Sequence, residues 1–232
     1  MAGETGELLE RPTKELLADF GAGKASPGSG SAAALMGLLA AKLLITVCDK
    51  SMTKQECRAN HKIIAYIKQQ VEVIEPRLVE LFEKDAREFD EVVKLRVARD
   101  AAKSSKEREK FSKQSKELLE TATDNAFNII DLCLKLIDHA VVVFRSGWPA
   151  VRGDSGAAIS AAIAGVMSGI FIANLNLKNL RGRKYAAENI ARCDGVYKEL
   201  AYKQAEAFSC VTSLNAEALA SIQLEIEETR VT

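Results

Sequence analysis

Two stretches constrain this chain more than anything else in it. Residues 31–48 (SAAALMGLLAAKLLITVC) and 156–173 (GAAISAAIAGVMSGIFIA) are apolar or small on nearly every helical face. A helix without a polar face is either buried inside a protein or crosses a membrane. A span needs about 20 apolar residues; the first stretch carries Lys42 in its middle and the second is rich in Gly, Ala and Ser. Both therefore read as core helices of a bundle, and no membrane partner is expected. Small residues recur every four positions: Ala33, Gly37 and Ala41 in the first, and Gly156, Ser160, Ala164 and Ser168 alongside Ala161, Gly165, Gly169 and Ala173 in the second. Such ridges let two backbones approach closely, either within one chain or across a subunit interface.

The rest of the chain supplies amphipathic helices to surround them. After a short helix, Thr13 to Phe20, closed by Gly21 and Gly23, apolar residues recur at spacings of three and four from Ile63 to Val92. They do so again from Leu118 to Phe144, and along the last segment from position 190 to 222. Pro76 is expected to kink the first of these patterns. Polar residues 99–117 separate the first two, and a loop is expected over 145–154. No segment alternates with period two. The chain is therefore expected to be all-α, a single-domain bundle of six to seven long helices over residues 1–232, around the two buried small-residue-rich helices.

Lys+Arg and Asp+Glu are both 32, so no basic field exists to attract nucleic acid. The five cysteines (48, 57, 133, 193, 210) are odd in number and form no CxxC pair. They read as reduced packing residues of a cytoplasmic protein, and the acidic N-terminus does not read as a secretion signal. His61 and His139 lie inside helical patterns without metal-ligand spacing, so neither a metal nor a catalytic triad is expected.

Polar chemistry concentrates at the helix entrances. SPGSGS (26–31) opens the first buried helix and RGDSG (152–156) the second. The GAGK at 21–24 lacks the residues of a phosphate loop, and Gly28–Ala33 lacks the strand that a dinucleotide turn follows. What remains is free backbone N–H at the positive end of a helix, with glycines that admit close approach. Plain capping by Ser29, Ser31, Asp154 and Ser155 stands beside that reading. Because the pattern occurs twice, on both buried helices, the two entrances are expected to share one polar site. The segment NLNLKNLRGRK (174–184) offers Asn176, Lys178, Arg181, Arg183 and Lys184 for an anionic tail, or simply a solvated turn.

These residues resemble the cyclodeaminase/cyclohydrolase family, which comprises methenyltetrahydrofolate cyclohydrolases and the C-terminal half of formiminotransferase-cyclodeaminase. Pro27-Gly28-Ser29-Gly30-Ser31-Ala32-Ala33 resembles its glycine-rich turn. Asp85-Ala86-Arg87-Glu88-Phe89 resembles its acidic helix stretch, and Asp154 with Asn176-Leu177-Lys178 its second buried helix. The chain departs from the family pattern at Ser29, Gly153 and Ile172. The resemblance implies an all-helical homodimer acting on the methenyl or formimino bridge of a tetrahydrofolate, with no metal or redox cofactor. It implies Asp154 and Asp85 as catalytic or pterin-binding carboxylates. Gly28, Ser29, Gly30 and Ser31 would form the cradle, with Asn176, Lys178 and Lys54 as further substrate contacts. Two alternatives stay open: a relative that binds a folate-like ligand without this reaction, and a helical oligomeric scaffold.

Overall fold

Each long amphipathic segment becomes one helix. In the computed structural model, which describes residues 8–231 and side chains through Leu224, α1 is Thr13–Phe20 and α2 Ser29–Met52. They are followed by α3 His61–Ala101, α4 Ser105–Ser146, α5 Arg152–Asn179 and α6 Lys184–Val231. Short 3-10 turns at Leu8–Glu10, Gln55–Asn60 and Pro149–Val151 complete the described residues, which contain no strand. α4 begins with a side-chain cap: the Ser104 hydroxyl accepts from the Glu107 N–H at 3.2 Å and donates to the Glu107 carboxylate at 2.9 Å. α3 continues through Pro76 as one helix. Pro76 and Glu72, whose carbonyl loses its helical donor, both lie on the exposed side, where water replaces the missing bond.

The connections are short, so successive long helices reverse direction. Leu78 of α3 packs on Gly37 of α2, Asn125 of α4 donates to Glu88 of α3, and Tyr197 of α6 meets Asn174 of α5. α2, α4 and α6 run one way; α3 and α5 run the other. α6 is fastened along α4 by Tyr185 to Asp124, Arg192 to Asp131 and Lys203 to Asp138.

The two buried helices do pack on each other, in the centre of the bundle. A Cβ added at Gly165 would stand 3.2 Å from the Ala33 carbonyl oxygen and 2.8 Å from the Cys133 sulfur, and one at Gly37 2.9 Å from the same sulfur. Burial pushes the Cys133 thiol up to about 12, so it serves as neutral packing. Of the two ridges on α5, the one through Gly165 and Gly169 faces the core. The one through Gly156 and Ser160 remains partly open. α2 and α5 are each long and apolar enough to cross a membrane by length and composition; here each is packed against α4 as well as against the other.

One expectation is overturned at this level. Three reversals separate α2 from α5, so the two helices are antiparallel. The entrance of α2 therefore sits beside the exit of α5, and the two entrances lie at opposite ends of the bundle. They share no pocket within one chain.

Candidate functional site

The turn before α2 is held against α3. The Ser26 hydroxyl donates to the Ala86 carbonyl at 2.7 Å, and Phe20 meets Phe82 edge-on with ring centroids 6.5 Å apart. This places the first turn of α2 over Asp85. The Ser31 hydroxyl donates to Asp85 Oδ2 at 3.0 Å, and the Ser31 backbone N–H supports the same carboxylate. Gly28, at the N-cap position, offers no side-chain acceptor, so the carboxylate of α3 caps α2 in its place. The anion that the glycine-serine turn accommodates is the protein's own Asp85. A Cβ at residue 30 would lie 2.0 Å from Asp85 Oδ1, so this approach requires glycine.

Opposing effects act on this acid. The Ser31 bonds favour the carboxylate and lower its pKa, while burial and the neighbouring Glu88 disfavour it. Burial is the largest effect, and it holds the Asp85 carboxyl above the usual carboxylate range.

Asp85 opens onto a cavity of about 200 Å³. Asp85, Phe89 and Arg96 line it from one face of α3, spaced by four and then seven residues. Gly28, Ser29 and Gly30 line it from the α2 entrance, and Ile172, Asn176 and Asn179 from the end of α5. Asn176 is buried, yet its side-chain amide has no hydrogen bond among the described residues. A buried acid with a raised pKa, an aromatic ring and an unused amide can hold a polar ring system and move a proton to or from it, and the Arg96 guanidinium adds a positive charge further along α3.

Of the residues singled out in the sequence, Gly28, Ser29, Gly30, Asp85 and Asn176 line this cavity, and Ser31 stands behind Asp85. The others lie elsewhere. Lys54 follows the far end of α2, where its ammonium sits 3.8 Å from the centre of the Trp148 ring. Asp154 is in the first turn of α5, about 33 Å of helix from Asn176 at 1.5 Å per residue. Lys178 is two residues from Asn176 and hence on another face of α5, where it is exposed in a separate groove with Arg181, Arg183 and Lys184. Sequence reading missed Arg96 and Asn179. The helical spacing from Asp85 through Phe89 was the available signal for Arg96.

A larger groove of about 540 Å³ runs between α5 and α6. Its walls are almost wholly apolar, with Ile159, Ile163, Phe208, Val211 and Leu214, and the only charged residue among the described ones that line it, Arg152, is paired with Glu217. It offers area for packing but no group for chemistry.

The fold and cavity define a class: an all-helical protein with a small, partly polar cavity beside a buried acid at a core-helix entrance. Comparison with known proteins agrees and is more specific. The formiminotransferase-cyclodeaminase family profile matches residues 12–195, and the chain belongs to that family. It is 30% identical over 176 residues to a methenyltetrahydrofolate cyclohydrolase of Methylorubrum extorquens, covering 75% of this chain and 83% of the relative. The fold is similar to the crystal structure of formiminotetrahydrofolate cyclodeaminase from Thermotoga maritima, with a TM-score of 0.66 and 19% identity. That similarity covers 87% of this chain and 93% of the other.

Proposed function

We propose that this protein is a folate-dependent one-carbon enzyme acting on the methenyl or formimino bridge of tetrahydrofolate, as a cyclohydrolase or a cyclodeaminase. Family membership and the cyclohydrolase relative support this reading. The observation that carries it is Asp85, a buried acid held at a helix entrance and facing the cavity. Both reactions pass through a tetrahedral centre at one amidine-like carbon. In the hydrolysis, water adds to the cationic methenyl carbon and gives up a proton, and one carbon–nitrogen bond then opens to leave a formyl group. In the deamination, the aminobenzoate nitrogen closes on the formimino carbon and gives up its proton, and ammonia departs after gaining one. Each needs a group that accepts and returns a proton. A carboxylate beside a cationic carbon also stabilises its charge. Phe89 offers a face for the pterin ring, and the Asn176 amide offers it hydrogen bonds. No cofactor is needed for either reaction.

The test follows the near-ultraviolet absorbance of methenyltetrahydrofolate against a buffer blank. Asp85→Asn is expected to lower turnover by about 100-fold or more, whereas Asp154→Asn retains it, because Asp154 lies at the other end of α5. Loss of turnover in Asp154→Asn with Asp85→Asn unimpaired would move the chemistry to the α5 entrance and overturn this assignment.

The reading includes a homodimer in the cytoplasm. Phe171, Leu175, Tyr197, Phe208 and Val211 leave an apolar face exposed along α5 and α6, and a second copy of the chain would bury it.

A further inference from the structure

Beside the cavity that holds Asp85 lies another, of about 270 Å³, and the two share Arg96 and Asn179 as walls. The second is lined by Arg99 of α3 and by Ser115, Lys116 and Leu119 of α4. Three cations thus converge where α3 ends and α4 begins, and among the described residues no carboxylate lines the space. Asp100 accepts from Arg99 at 2.8 and 3.2 Å, which offsets one of the three charges. Arg96 and Lys116 make no hydrogen bond or ion pair among the described residues, so their charge is not used to hold the fold. The first cavity alone is smaller than the usual range for a small-molecule site, about 300–1,000 Å³, and the second adjoins it at Arg96 and Asn179.

The pair of neighbouring cavities is polarised, with an acid in one and unspent cations along the other. We propose that Arg96 is a specificity residue and that Arg96, Arg99 and Lys116 form a subsite for the carboxylates of the ligand's glutamate tail. This rests on the folate reading above, with the pterin head at Asp85. It takes the place of the tail site expected at residues 178–184: the groove there does not include Asp85, and of its cations Arg183 is paired with Glu120 and Lys184 with Glu188, while Lys178 and Arg181 stay unpaired among the described residues, away from the acid. A guanidinium can bind a carboxylate through two parallel hydrogen bonds, a geometry that an ammonium cannot reproduce. Arg96 accordingly contributes more than Lys116.

The experiment measures calorimetric affinity for two probes, 5-formyltetrahydrofolate and the tail-free 6-methyltetrahydropterin, at low and at physiological salt. Wild type is compared with Arg96→Gln, Arg96→Lys and Lys116→Gln. Arg96→Gln is expected to weaken the tail-bearing probe by about 10- to 100-fold, as for a charge-assisted hydrogen bond, and to leave the pterin unchanged. Arg96→Lys should recover part of the loss, and Lys116→Gln should cost a few-fold. Salt should weaken only the tail-bearing probe. In turnover, Arg96→Gln should raise KM while kcat is retained. Equal weakening of both probes, or of neither, overturns the subsite. Wild type binding both probes with equal affinity also overturns it, while leaving the folate head at Asp85. Wild type that binds neither probe overturns the folate reading and the subsite together.

Discussion

Asp85 reports its own surroundings, which makes it the residue on which the proposed chemistry is most directly tested. If it acts as a base, kcat/KM falls as pH drops through its pKa, and burial places that limb above the ordinary carboxylate value near 3.9. Ser31→Ala removes a bond that favours the charged form, so the limb should move further up. A limb that stays in place in Ser31→Ala would point to another base. The same shift has a stability consequence. A raised folded-state pKa contributes stability below the unfolded value, and that contribution is lost as pH rises through the folded value. Asp85→Asn should therefore gain stability relative to wild type over that window and keep the gain above it, as read by thermal midpoints across pH. The sequence disclosed this acid through its helix stretch and disclosed the glycine-serine turn, but not that one serves the other. A free helix entrance and an entrance capped from a distant helix look alike in one dimension.

At the scale of elements, the packing of α2 on α5 depends on glycines that leave no room. Gly165→Val places a branched side chain where even a Cβ would stand 2.8 Å from the Cys133 sulfur and 3.2 Å from the Ala33 carbonyl. Overpacking of this kind costs about 1–3 kcal/mol, more than the helix-propensity gain from replacing a glycine. Adding Cys133→Ala should restore part of the loss, because the two sites share one space and their effects do not add; denaturant midpoints of the single and double variants measure the coupling. The small-residue ridges were legible because period four is written directly in the sequence. The direction of the helices was legible too, by counting reversals: short links join α2 to α3, α3 to α4 and α4 to α5. The expectation of a joint entrance came from the likeness of SPGSGS and RGDSG and disregarded that count. Lys54 was misplaced in the same way, since it follows α2 and lies a helix length from its start.

For the whole molecule, the exposed surface poses the remaining physical problem. Phe171 and Phe208 are 67% and 66% exposed, on neighbouring helices, with an apolar groove below Phe208 and the partly open Gly156–Ser160 ridge along it. Large exposed aromatics along two packed helices are expected to belong to an interaction site rather than a solvated surface. No periodicity could have shown it, because α6 carries apolar residues on more than one side and only the packed bundle decides which of them stay outside. Covering this face with a second copy buries both rings, and a large aromatic typically contributes 150–250 Å² of buried area. Phe208→Glu tests this without touching the proposed site, since Phe208 does not line the Asp85 cavity, whereas Phe171 adjoins its wall residue Ile172. Wild type should sediment at twice the 25.2 kDa chain mass, with a thermal midpoint that rises with protein concentration. Phe208→Glu should sediment as a single chain, with a midpoint independent of concentration. A dimer that survives the substitution unchanged would place the interface on another face.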